Sequence, residues 1–412
     1  MKRAQWVLLA FLTFLNVLNF VDRQLIPSLA PKLMADLGLN RAEIGLLYGY
    51  VFIVFYTAVG LWLGTVADRW HRPRLIAMGL GLWSALTAVT GAALNFSHLA
   101  LARIFIGIGE AALTPAALSM LSDTFPLKRR AFASGTYYAG VPIGSAFSAV
   151  VSGWIATRYG WRACFYALGI LGVLVVPLAL LFRNPQREGG AASEPAGTTR
   201  DIYRSLFHAL RSSAALRLAM LGGIMLNYYT ASNNHIPTFL VTERGFDFER
   251  ASYVGGGILL LMGVLGVVLG GAMSDWFHRR WRGGRMYFLI LNTAVMFPCS
   301  LAFFLLPAES PLFYPAWAMA IFGSMVWYGP IFATVADLAP PRVRSTALAF
   351  MILLLNMLGT GSGAWITGLL GDAYSLELGL SSGAAVGLCA VVPLFFAARK
   401  YAAHREAATA AG

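Results

Sequence analysis

Apolar runs of 18 residues or more recur from one end of this chain to the other, and no other feature constrains its fold as tightly. A helix of about 20 apolar residues crosses the ~30 Å hydrocarbon layer of a bilayer. Within that layer only helices and closed barrels satisfy their own backbone. The composition agrees, since 58% of the 412 residues are hydrophobic and 12% are charged, against about 25% charged in soluble domains. A barrel would show ten-residue alternating segments instead. The chain therefore reads as an all-α membrane protein. Twelve spans are predicted, roughly 5–30, 42–67, 74–94, 98–122, 131–157, 161–183, 214–241, 249–274, 286–306, 312–338, 344–370 and 381–399. The first run is too long for a signal h-region and no small-residue cleavage site follows, so it is expected to be retained.

The net charge of +13 would suggest nucleic acid in a soluble protein. Here the basic residues sit in loops between spans, where orientation and anionic lipid account for them, and no nucleic-acid partner is expected. Clusters at Arg69, Arg72 and Arg74, at Lys128, Arg129 and Arg130, and at Arg279, Arg280, Arg282 and Arg285 all fall on one side when both termini do. That side is predicted to be the cytoplasm, in the cell's inner (plasma) membrane. Cys164, Cys299 and Cys389 lie far apart in apolar runs and read as buried small hydrophobes rather than a disulfide or metal set. The chain has no GxSxG, HExxH or Gly-Lys dipeptide, which argues against a hydrolase, a zinc protease and a Walker A pump. No enzyme activity and no cofactor are expected, and the energy must come from an ion gradient or the substrate's own gradient.

Charge inside the apolar runs is confined to two places. The first span holds Asp22 and Arg23 in NFVDRQLIP. The fourth, ARIFIGIGEAALTP, holds Arg103 and Glu110 seven residues apart, on one helical face with Gly107 between them. An ionisable group at membrane depth costs a few kcal/mol or more and usually faces a partner or a watery cavity. Asp22 lies about 24 Å from the cytoplasmic start of its span and Arg103 about 7 Å below the opposite surface, at 1.5 Å per residue. The two fall at similar heights, so they can meet, and Arg23 is left to point elsewhere or to reach Glu110. The second half offers mainly uncharged polar groups. Asn227, Tyr228, Asn234, Trp327 and Asn356 are candidates to line a cavity, with helix packing as the other reading.

The chain repeats itself. LIPSLAPKL (25–33) echoes HIPTFLVTE (235–243), GTVADRWHR (64–72) echoes GAMSDWFHR (271–279), and FPLKRRAFASG (125–135) echoes PPRVRSTALAF (340–350), each about 210 residues on. The organisation expected is a six-helix bundle over 1–183, a linker over 184–213 and a second six-helix bundle over 214–412. The linker is Gly-, Ala-, Ser- and Pro-rich at first, then places Ile202, Leu206 and Leu210 at helical spacing against Arg204 and Arg211. That spacing suggests a short amphipathic helix on the inner leaflet. Parallel six-helix repeats imply a central site between two halves that rock against each other.

The duplicated G-x-x-x-D-x-x-x-R, carried by Gly64, Asp68 and Arg72 and again by Gly271, Asp275 and Arg279, resembles the cytoplasmic loop motif of the major facilitator superfamily. Such carboxylate–guanidinium sets can bridge helix ends, and these residues are the expected cytoplasmic gate. A receptor or channel would not need it twice. Within that superfamily the first half resembles the spinster-like transporters, through LNFVDR (18–23), ADRWHRPRL (67–75), ARIFIGIGEAALTPAALSMLSDTF (102–125) and AGVPIGSAFS (139–148). The resemblance implies the superfamily's fold, with 3+3 inverted repeats in each half, and transport of lysophospholipids or sphingosine phosphates, with proton coupling in bacterial members. The Asn-x-x-Asp-Arg of the first span is also similar to that of organic-anion and sugar-acid carriers. On this basis Glu110 and Asp22 are expected to carry the coupling proton, and Arg23 and Arg103 the anionic headgroup, whose phosphate suits a planar guanidinium. The other reading of the four is a permanent ion-pair network that fixes helix packing. The expected partners are an anionic lipid-like or organic-anion substrate and membrane lipids, with the protein a monomer.

Overall fold

The computed structural model describes residues 3–182, 184, 199–340 and 343–410, and every regular element among them is helical. The first six spans are α1 (Arg3–Leu37), α2 and α3 (Arg41–Tyr48, Tyr50–Arg69), α4 (Arg72–Thr90), α5 and α6 (Phe96–Glu110, Leu113–Thr124), α7 and α8 (Leu127–Tyr138, Gly140–Tyr159) and α9 (Trp161–Leu180). Then come α10 (Thr199–Ser212), α11 and α12 (Ala214–Ser232, Ile236–Thr242), α13 and α14 (Phe248–Ile258, Val264–Arg280) and α15 (Gly284–Leu305). The last spans are α16 and α17 (Phe313–Val326, Tyr328–Leu338), α18 and α19 (Arg344–Leu354, Ser362–Ala373), and α20 and α21 (Leu376–Cys389, Val391–Ala410). Among the described residues ten helices are long and apolar enough to cross a membrane, and the bent pair ending in α11–α12 makes an eleventh. The 19-residue α4 completes the expected order of twelve.

Prolines decide where several spans break. The helix is interrupted at Ala112, Ala139, Trp327 and Ala390, three residues before Pro115, Pro142, Pro330 and Pro393 respectively. A proline supplies no N–H to the carbonyl four residues back, so the chain loses a hydrogen bond there and bends. Two other spans relax through π-helical segments, Leu259–Gly263 and Leu355–Gly361.

Residues 1–190 with 234–260 form one compact unit, and residues 191–233 with 261–412 form the other. In the first, Leu25, Leu29, Leu33, Leu47, Leu99 and Phe165 build an apolar core at one end. There Arg41 pairs with Glu243 (3.4 Å), Arg158 with Glu249 (3.1 Å) and Arg162 with Asp36 (2.6 Å). In the second, Leu216, Met220, Met286, Leu289, Ile331 and Leu394 form the core. Uncharged hydrogen bonds join its helices, as between Tyr229 and Ser300 (2.7 Å) and from Thr367 to Ser232 (2.9 Å). Lipid tails are as apolar as leucine, so such bonds and close small-residue packing, rather than water exclusion, hold the helices together.

Helix α10 forms in the second half of the linker. Leu206 is fully buried against the second unit and Leu210 half-buried, while Phe207, Arg204 and Arg211 are exposed. Its leucines thus turn toward protein, and the side chain of Ile202 lies outside the described residues. The chain turns by 93° between α10 and α11, where the Arg217 guanidinium donates to the carbonyls of Leu210 and Arg211. Of the cysteines, Cys164 is buried, Cys299 half-buried and Cys389 exposed. The expectation of burial fails for Cys389, because half the surface of a span faces acyl chains and an apolar neighbourhood in sequence is no sign of a protein interior.

Candidate functional site

The four intramembrane charges meet in the first unit. Asp22 and Arg23 occupy the middle of α1, and Arg103 and Glu110 one face of α5. Arg23 Nε donates to Glu110 Oε2 at 2.7 Å, and Arg103 Nη1 lies 3.9 Å from Asp22 Oδ1. Both contacts that helix depth permits are therefore present. Exposure separates the two arginines: the side chain of Arg23 is 18% exposed, that of Arg103 2%. Arg23 is the cluster's accessible member and Arg103 its anchor.

The anchoring follows from Pro27. A helical carbonyl at position 23 would normally accept from the N–H of residue 27, which proline lacks. Arg103 Nη2 donates to that carbonyl of Arg23 at 3.2 Å, and more weakly to the carbonyl of Asp22 at 3.5 Å. One guanidinium thus sits beside a carboxylate as its counter-charge and repairs the proline's gap in α1. The Thr87 hydroxyl of α4 donates to the other oxygen of Asp22, with the Trp83 carbonyl as the alternative acceptor at 2.9 Å. Hydrogen-bonding capacity is left over: Asn19 Nδ2, Asp22 Oδ1, Arg103 Nε and Glu110 Oε1 are buried without a hydrogen-bond partner. A cluster of buried donors and acceptors that is only partly satisfied is costly.

The remaining candidates are placed as follows. Asn227 is buried and donates to the Leu355 carbonyl (2.7 Å) and to Thr360 (2.9 Å), where the π-helical segment leaves backbone to satisfy. Trp327 is 1% exposed, and its indole donates to Thr230 at 3.0 Å. Tyr228 is buried, and Asn234 and Asn356 are half-buried. Gly140 and Gly144 let α8 press on α1 at Asn16 and Val17, and Asn16 donates to the Tyr137 carbonyl at 2.8 Å.

At the predicted gate, the side chain of Asp68 lies outside the described residues. Arg72 is 4% exposed and pairs with Asp123 at 2.5 Å. Asp275 meets Arg285 at 3.3 Å, Arg285 also pairs with Asp337, and Arg279 is exposed. Asp123, Arg285 and Asp337 are ion-pair partners that the motif did not name. A signal for them exists, since the pairs span 51 and 52 residues in the two halves, from the start of one helix to the end of the next. His98 and His235 lie outside the four-charge cluster, and no group of metal ligands occurs among the described residues.

The sequence profile of the Major Facilitator Superfamily matches residues 12–364. An MFS-type efflux pump of Mycolicibacterium smegmatis is 29% identical over 92% of this chain and 87% of its own. Protein spinster of Drosophila melanogaster is 27% identical over 91% of this chain and 63% of its own. A probable L-galactonate transporter of Escherichia coli is 30% identical over 67% of this chain and 62% of its own. The chain thus spans less than two thirds of the length of these last two relatives. The fold matches the crystal structure of a bacterial homologue of the human lysosomal transporter spinster, inward-facing and unoccupied, with a TM-score of 0.81, 24% identity and 97% of each chain covered. The chain belongs to the Major Facilitator Superfamily and is a multi-pass membrane transporter, not an enzyme, similar in sequence to protein spinster.

Proposed function

We propose that this transporter carries an anionic amphiphile, of the lysophospholipid or sphingosine-phosphate type, coupled to protons and by alternating access. The observation that carries the reading is the pairing in which a partly exposed arginine shares a buried carboxylate. An incoming phosphate competes with Glu110 for Arg23, because a guanidinium binds phosphate oxygens in bidentate fashion. A buried carboxyl deprived of its cation is held in water-poor surroundings that favour the neutral form. Substrate binding and proton uptake are then linked, with Glu110 and Asp22 as the proton carriers and Arg23 and Arg103 as the headgroup site. Of the two arginines, Arg23 makes first contact. Tyr228, Asn234 and Asn356 supply neutral polar contacts, and Asn227 and Trp327 shape the surroundings from their structural bonds. Asp68, Arg72, Asp275 and Arg279 act in the cytoplasmic gate, with Asp123, Arg285 and Asp337 as partners. The protein works as a monomer in the inner membrane, and its basic loops support an orientation with both termini in the cytoplasm.

A second reading, transport of a small organic anion such as a sugar acid, draws on the L-galactonate relative and the Asn19-x-x-Asp22-Arg23 pattern. Uptake of labelled lysophosphatidylglycerol and labelled gluconate into liposomes under imposed pH gradients separates the two. Saturable, gradient-driven flux of the lysolipid supports the first reading; flux of gluconate alone replaces it with the second. Flux of neither, with specific binding retained, leaves a receptor without transport. Glu110→Gln is expected to express normally and to lose the pH dependence of flux. Unchanged coupling in that variant removes Glu110 from its role.

A further inference from the structure

Arg23 touches more than its carboxylate. Its guanidinium carbon lies 4.2 Å from the ring centre of Tyr56, 5.0 Å from that of Phe52 and 5.1 Å from that of Phe20. Phe52 and Tyr56 are one turn apart on α3, and their rings stack at 5.5 Å with only 16° between planes, so they form a continuous flat wall. A wall of this kind attracts a cation through the ring quadrupole and matches the planar guanidinium face to face. Phe52 also lies 5.7 Å from the guanidinium of Arg103, so it borders both arginines.

The wall reaches the cluster because of Gly107. A Cβ at that position would come within 3.0 Å of the Phe52 carbonyl oxygen and 3.4 Å of the Tyr56 nitrogen. The glycine between Arg103 and Glu110 therefore sets how closely α3 approaches α5, and so how far its rings extend under Arg23.

We infer that Tyr56 and Phe52 are positioning residues that hold the Arg23 guanidinium on station independently of the charge on Glu110. This rests on the proposed exchange of Glu110 for an anion. In that exchange the ion pair disappears when the carboxyl takes a proton, whereas attraction to a ring face does not titrate. A guanidinium held over ring faces in this way can keep its N–H edge, which a phosphate or carboxylate engages, in its own plane and clear of the rings. The charged and titratable groups facing Arg23 are Asp22 of α1, Tyr48 of α2, Tyr56 of α3, Arg103 and Glu110 of α5 and Tyr137 of α7. Of these, only Glu110 makes a short ion pair with it.

The test uses the full chain in detergent and needs no substrate. A double-mutant cycle of Arg23→Gln with Tyr56→Leu is read by melting temperature, first in the native protein and then in the Glu110→Gln background. The expected result is a non-additive shift that persists in both backgrounds, with Tyr56→Phe close to native because it keeps the ring face. Loss of the coupling in the Glu110→Gln background would overturn the inference, as would a Tyr56→Phe variant as impaired as Tyr56→Leu. Should Tyr56→Leu not fold, Phe52→Leu enters the same cycle. In liposomes, with lysophosphatidylglycerol and gluconate as probes, Tyr56→Leu is expected to raise KM about tenfold and leave kcat nearly unchanged. A fall in kcat at native KM counts against it. If the native protein moves neither probe, the substrate assignment fails while the melting cycle still decides the role of the rings.

Discussion

The two halves of the duplication share one set of polar contacts and differ in another. In each, a hydroxyl from the third span bonds to the first: Thr87 to Asp22, and Ser300 with Tyr229. In each, an asparagine of the first span donates to a carbonyl where the fifth span departs from regular helix, Asn16 to Tyr137 and Asn227 to Leu355. In each, an arginine opening the third span pairs with an aspartate closing the fourth, Arg72 with Asp123 and Arg285 with Asp337. What is not repeated is the Asp22–Arg23–Arg103–Glu110 cluster. The contacts common to both halves are those that both copies of the duplication retain. The four charges, whose burial is costly and whose hydrogen bonding is incomplete, occur once. That asymmetry favours the proposed role of the four in transport.

The comparison is open to attack by substitution. The largest effect is expected from Asp22→Leu, which leaves the 2%-exposed Arg103 side chain without its carboxylate; stripping a buried charge of its partner costs about 3–5 kcal/mol. The counterpart change Tyr229→Phe removes one neutral hydrogen bond, at about 1 kcal/mol. Equal losses of melting temperature would erase the distinction between the halves. Next come the two arginine–aspartate pairs between the third and fourth spans. Arg72→Ala removes a largely buried pair and should cost about 2 kcal/mol, whereas Arg285→Ala, whose partner Asp337 is 40% exposed, should cost about 1 kcal/mol or less. Chemical denaturation of both variants, with Arg285→Ala the more damaging, would invert the order. The smallest difference is expected between Asn16→Leu and Asn227→Leu. Each leaves a carbonyl without its donor, at about 1–2 kcal/mol, and a loss confined to one of them would show that the two bonds are not equivalent parts of the scaffold.

Much of this was legible before any coordinates. The spans could be placed because apolar length is a local quantity. The depth of Asp22, Arg103 and Glu110 could be reckoned because a helix rises by a fixed step per residue. The breaks could have been placed too, since each of four follows from a proline three residues on. Pro27 also marks the carbonyl that Arg103 takes. Other features had no local signature. The motif pointed to Arg279 as a gate residue, yet Asp275 finds Arg285, which neighbours it through helix packing. Asn227 and Trp327 suited a cavity or a packing role equally in the sequence, since polar and aromatic residues in a span serve either, and their partners, Leu355, Thr360 and Thr230, appear only in the structure.

The order of the spans, the duplication and the presence of two acids and two arginines at membrane depth were determined by the sequence alone, because each is counted along one helix. Which carboxylate meets which guanidinium, which arginine stays accessible and which rings lie beneath it were decided by the tertiary structure. Those choices depend on the rotation and approach of neighbouring helices. Here glycine and proline set them by removing a side chain at Gly107 and an N–H at Pro27, and their effect appears only when a second helix arrives.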